Sequence, residues 1–164
     1  MKLKNIILSP DILISLVLSI TLYMFMPEFL ENSFVKEVYN TGISVLAIIF
    51  SIYFAALAII ISTGDNNFIE YIQIKGFYKV IIGAFRTTLF IIFIALIYSF
   101  IIYSITVFQI SNKMEKQSKY SFIIFVFLFL YALLATAWSS KDAIKYYEYR
   151  IKFLAAQKKD SKEH

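Results

Sequence analysis

The chain has no cysteine, two prolines, four glycines and one histidine, at its last position. Without cysteine there are no disulfides, no thiolate metal ligands and no cysteine nucleophile. Without an internal histidine, imidazole acid–base catalysis and most zinc chemistry go as well. Charge is also scarce: charged residues make up 16% of the 164 positions, against about 25% in soluble domains. What fills the space is apolar, 60% hydrophobic and 18% aromatic, with a mean hydropathy of +0.73. A chain this small has much surface for its volume and lacks the polar residues to face water with it. These proportions exclude a soluble monomer and exclude intrinsic disorder.

Scarce charges punctuate the chain. They leave four uncharged runs: Ile12 to Pro27 (16 residues), Val38 to Gly64 (27), Thr87 to Asn112 (26) and Tyr120 to Ser140 (21). A helix needs about 20 apolar residues to cross a hydrocarbon core, and inside lipid the backbone is satisfied as helix. The last three runs meet that length. The first covers only about 24 Å at 1.5 Å per residue. Its start reads as a helix, with Ser9 as N-cap, Pro10 in the first helical position and Asp11 in the first turn; Pro27 ends it. The alternative, a cleaved secretory leader after Lys2 and Lys4, conflicts with the bulky Tyr23, Met24, Phe25 and Met26 where small residues belong. The reading is an all-α integral membrane four-helix bundle with spans at about 10–27, 42–63, 81–108 and 120–140. Residues 1–140 form the membrane domain and 141–164 a helical extension with a basic tail.

Lys and Arg set the orientation. With four spans and both termini inside, twelve basic residues lie inside and four outside. The reverse orientation inverts that ratio, so both termini are expected in the cytoplasm and the chain in a plasma (inner) membrane. The net charge of +5 is then a topology signal. Arg occurs only twice, too rarely for the Arg-rich patch of a nucleic-acid-binding surface, so no nucleic acid is expected as a direct partner.

The second span carries a small residue at every third or fourth position: Ser44, Ala47, Ser51, Ala55, Ala58 and Ser62. Lipid gives helices no hydrophobic reason to associate, and small faces let backbones approach. This face meets either another span of the same chain or a second copy, as an oligomer or pore surface. The third span echoes it with Ala84, Thr88, Ala95, Ser99 and Thr106, which are expected to meet the small face of the second span or their own copy. The fourth is bulky in its first half (Phe122, Phe125, Phe127, Phe129) and small in its second (Ala132, Ala135, Thr136, Ser139), with Trp138 as an interfacial anchor. Arg86 is a membrane-border charge. It either snorkels to lipid headgroups or makes a gating or inter-subunit contact, with Asp65 or Glu70 as partner.

Between the second and third spans, Gly64 suits a helix C-cap, and Asn67 with Glu70 suits a new N-cap. Phe68, Ile69 and Ile72 share one face, and Gly76 ends this short amphipathic element. The Asp65-Asn66-Asn67 cluster lacks the ligand spacing of a calcium loop and the lysine of a phosphate loop. After Trp138 nothing breaks the helix, so the fourth span continues as a rod of about 36–38 residues. Ile144, Tyr147, Ile151 and Leu154 form its apolar stripe, and Lys145, Glu148 and Lys152 are spaced to pair. The stripe is covered by the second-loop element or the lipid surface, or it docks another copy or a soluble cytoplasmic protein. Beyond Gln157 the basic tail reads as solvated.

The chain has no GxSxG, HExxH or GxxxxGK[ST] sequence and no carboxylate pair within a span, so no enzyme and no cofactor are expected. What remains is association, permeation or anchoring. In size and layout the chain resembles the few-span membrane components of bacterial anti-phage, abortive-infection systems. That resemblance implies a homo-oligomeric effector or sensor subunit in the lipid bilayer, controlled through its cytoplasmic helix. A non-conducting anchor for a soluble partner is the second reading, and a holin-like lysis protein the third.

Overall fold

The computed structural model describes residues 10–62, 66–74 and 76–160. Among these the order is α1 (Pro10–Phe25), β1 (Phe29–Glu31), α2 (Asn32–Ser62), α3 (Asn66–Ile74), α4 (Phe77–Ser111), β2 (Lys116–Ser118) and α5 (Lys119–Asp160). Ser9, Gly64 and Asp65, to which the sequence assigns caps and a contact, lie outside the described residues. Pro10 and Asp11 do open α1. Gly76 takes the left-handed conformation (φ 72°) that a side chain resists, and it separates α3 from α4.

Helices α2, α4 and α5 are 31, 35 and 42 residues long, and each carries an apolar stretch fit to cross a bilayer. Most of each stretch stays uncovered by the rest of the chain; large Ile and Phe side chains point outward along α2 and α4, and Ile124 does so on α5. In water such a surface would drive aggregation, and in lipid it is the solvated state. The chain is therefore an all-α membrane protein with three helices long enough to span. α1 is apolar but has only 16 residues.

The packing runs α2 on α4, α4 on α5 and α5 on α1, while α2 and α5 touch at fewer points. One apolar cluster joins Leu46, Tyr53 and Ile60 of α2 with Ile81, Phe85, Ile92 and Ala95 of α4 and with Ala132 and Tyr146 of α5. A second joins Val35 and Tyr39 to Ile102, Phe122 and Phe125. Gly42 makes this approach possible: a Cβ there would meet Phe125 Cζ at 2.5 Å.

α1 runs antiparallel to α5. At its C-terminal end the Lys119 ammonium donates to the carbonyls of Tyr23 and Met26, at 3.5 Å each, and lies 4.0 Å over the Tyr23 ring. Near its start Asp11 comes within electrostatic reach of Tyr131, about 18 Å further along α5. Ser15 and Ser19 are buried, so a small face of α1 is turned inward.

One feature was not expected from the sequence: the segment between α1 and α2 and the segment between α4 and α5 pair as a short antiparallel ladder. Phe29 stands opposite Ser118, Leu30 opposite Gln117 and Glu31 opposite Lys116. Asn32 extends it, its backbone N–H donating to the Glu115 carbonyl (2.8 Å) and its side-chain amide to that of Met114 (2.7 Å).

Candidate functional site

All six residues of the small stripe, Ser44, Ala47, Ser51, Ala55, Ala58 and Ser62, are exposed on the single chain. At 100° per residue they centre nearly half a turn from buried Tyr39, Leu46, Tyr53 and Ile60. Among the described residues no other span covers this face, as the first of the two sequence readings would require. The three hydroxyls bond back into their own helix, Ser44 to the Asn40 carbonyl (3.0 Å), Ser51 to that of Ala47 (2.9 Å) and Ser62 to that of Ile59 (3.2 Å). Satisfied locally, they leave a shallow, smooth strip that faces away from the bundle.

The echo on α4 behaves in the opposite way. Thr88, Ala95, Ser99 and Thr106 are buried and Ala84 half-buried. They do not meet the small face of α2, as the sequence suggested, but its bulky one. Tyr53 shows the fit: its ring lies 5.4 Å from that of Phe85, and its hydroxyl reaches the Thr136 carbonyl and, at 2.9 Å, Ser140 Oγ on α5. Small residues on α4 make room for large ones on α2, which brings three helices together around one tyrosine.

Arg86 is exposed and follows Phe85, whose ring meets that of Tyr53 beside Thr136 and Ser140 of α5. Among the described residues it makes no ion pair, and neither does Glu70; the ion pair present is Lys145 with Asp142, at 3.3 Å. Trp138 is partly exposed, with the Lys141 ammonium 3.8 Å over its ring. Arg86, Trp138 and Lys141 therefore form one belt of cations and an aromatic ring, the composition of a membrane border. No group of three or more His, Cys, Asp or Glu able to hold a metal occurs among the described residues.

Beyond that belt α5 continues without a break to Asp160. α3 packs on this extension, burying Phe68 and Ile72. Phe68 meets Tyr146 and Phe153 with ring centres 5.5 Å apart, Tyr71 meets Phe153 at 5.4 Å, and Phe77 stacks on Tyr149 at 4.7 Å. The covered side is thus Tyr146, Tyr149 and Phe153. Ile144, Tyr147, Ile151 and Leu154, about two-fifths of a turn away, remain exposed. α3 does cover an apolar stripe of the extension, but one on the far side from these four residues. The pairing expected among Lys145, Glu148 and Lys152 is likewise replaced: Lys145 turns to Asp142, and Lys152 lies 5.9 Å from the Tyr149 ring centre.

A polar cluster at the ladder end was missing from the sequence reading. Gln117, buried between α2 and α4, donates to the Tyr39 hydroxyl at 3.4 Å. The Thr106 hydroxyl shares its proton between the Ile102 carbonyl (2.8 Å) and Gln117 Oε1 (3.3 Å). A signal did exist, because tyrosine hydroxyls within apolar helices need partners. The residues that provide them lie 78 and 83 positions away in sequence.

No cofactor cage or catalytic constellation emerges from these contacts among the described residues. What the geometry provides is an outward small strip on α2, a basic and aromatic belt, and an extension with one face free. Comparison with protein-family models, with curated proteins and with solved structures finds no match for this chain.

Proposed function

We propose that this chain is a four-span inner-membrane protein with cytoplasmic termini, whose copies associate through the small face of α2. In this reading it is a membrane-embedded effector or sensor subunit, of the kind found in anti-phage systems, controlled through the α5 extension. The observation that carries it is the outward strip: internal packing consumes the bulky face of α2 and leaves the face suited to close helix approach unused. The topology is supported by the ladder, which holds the α1–α2 and α4–α5 connections at one end, as four antiparallel spans require. The excess of Lys and Arg at the other end supports the orientation.

The mechanism is a change of helix packing. α5 is one continuous rod, and it grips α2 at two points near the extension: Tyr53 on Thr136 and Ser140, and the Tyr146 hydroxyl on the Ile60 carbonyl at 3.4 Å. A partner that displaces the extension moves α2 and, with it, the strip between copies. The second reading is a non-conducting anchor, favoured by the exposure of Ile144, Tyr147, Ile151 and Leu154, which suits a soluble protein.

Liposomes containing purified protein separate the two. An effector changes ion flux or dye leakage when its partner is added, and Ser51→Leu or Ala55→Leu alters that response while the protein still inserts. An anchor leaves the membrane tight in every case and loses its partner when residues 141–164 are deleted. Unchanged currents and leakage with and without the partner remove the pore reading.

A further inference from the structure

Lys79, Gly83 and Arg86 stand at positions i, i+4 and i+7 of α4, hence on one face. That face points away from the buried line of Ile81, Phe85, Thr88 and Ile92 by about half a turn. Both basic side chains are exposed, and among the described residues neither makes an ion pair. Between them a Cβ on Gly83 would meet nothing within 4 Å. The two cations thus flank an open saddle, with their Cα atoms about 10 Å apart along the axis, within converging reach of two long side chains. Arg86 lies at the level of the Trp138 and Lys141 belt, where phosphates of a bilayer sit. Further along the same face, Phe90, Ile97 and Ile101 are exposed and offer a track the length of an acyl chain.

We propose that this face of α4 binds one anionic phospholipid, its phosphate held between Lys79 and Arg86 over Gly83 and its chain laid along Phe90, Ile97 and Ile101. Charge complementarity selects the headgroup: a choline phospholipid brings its own cation, whereas a glycerol phospholipid presents an uncompensated negative charge to two free cations. The apolar track distinguishes a lipid from a soluble phosphate. The site lies on α4 and does not depend on association through α2.

The test is native mass spectrometry of the full chain released from mixed micelles holding equal amounts of phosphatidylglycerol and phosphatidylcholine. The wild type is expected to retain phosphatidylglycerol with a preference of roughly thirty-fold, about fivefold for each basic group. Lys79→Gln and Arg86→Gln should each cut the preference about fivefold and together abolish it. Gly83→Leu, built into open space, should lower retention with both charges in place and thermal unfolding unchanged. Lys116→Gln, at the opposite end, should change nothing. Equal retention of the two lipids, an intact preference in the double variant, or displacement of the lipid by millimolar inorganic phosphate would overturn the proposal.

Discussion

Gly42 and Tyr53 carry most of the responsibility for how α2 meets α5. At Gly42 an added methyl group would run into the ring of Phe125, which packs against Tyr39 at 4.8 Å and Phe129 at 5.7 Å and would have to leave those contacts and swing toward the cleft it lines with Val38 and Thr41. Gly42→Ala should therefore destabilise the protein by about 1–3 kcal/mol, the usual penalty of overpacking, seen as a lower thermal midpoint in micelles. Phe125→Leu in the same chain should recover part of that loss, because the two sites share one contact. Additive losses would show that the ring is not the obstacle. Tyr53→Phe removes a hydroxyl that serves α5 twice and should cost about 0.5–1.5 kcal/mol. It should also raise hydrogen exchange around residues 136–140, and unchanged exchange there would refute the coupling between α2 and α5.

At the scale of elements, the long helices were legible because charge falls where lipid ends, and uncharged runs of 21 to 27 residues mark spans without further help. Pro10 and Gly76 were legible because their backbone restrictions are local. What could not be read was which face of each helix turns inward. In water, hydrophobic periodicity separates core from surface; in lipid both are apolar, and only size and hydroxyl needs remain. The same small-residue spacing thus appears on α2 facing outward and on α4 facing inward. The three-residue ladder was invisible for another reason, since its halves are short and lie more than 80 positions apart. Two elements give direct tests. Lys113 sits at φ 59° just after α4, a conformation glycine adopts at less cost, so Lys113→Gly should stabilise the chain by about 0.5–1 kcal/mol in thermal unfolding. Lys119→Met should loosen α1, raising its hydrogen exchange while α4 is unaffected; equal protection in both proteins would show that Lys119 does not fasten it.

For the whole molecule, the packing leaves a bundle complete on one side of α2 and unused on the other, with a rigid rod leading from that bundle to an exposed apolar stripe. Such a build suits an assembly whose fit between copies responds to an event at the extension. The absence of cysteine makes single-cysteine cross-linking clean: a cysteine at Ser51 should form a disulfide between copies in native membranes, and one at Ile105, exposed on α4, should not. The most direct measurement is the mass of the complex released from native membranes without detergent exchange. The account predicts an integral multiple of 19.1 kDa for the wild type and a shift toward the single chain when Ser51→Leu and Ala55→Leu are combined. A wild-type chain that is solitary, or a complex whose mass is untouched by those two substitutions, would contradict it.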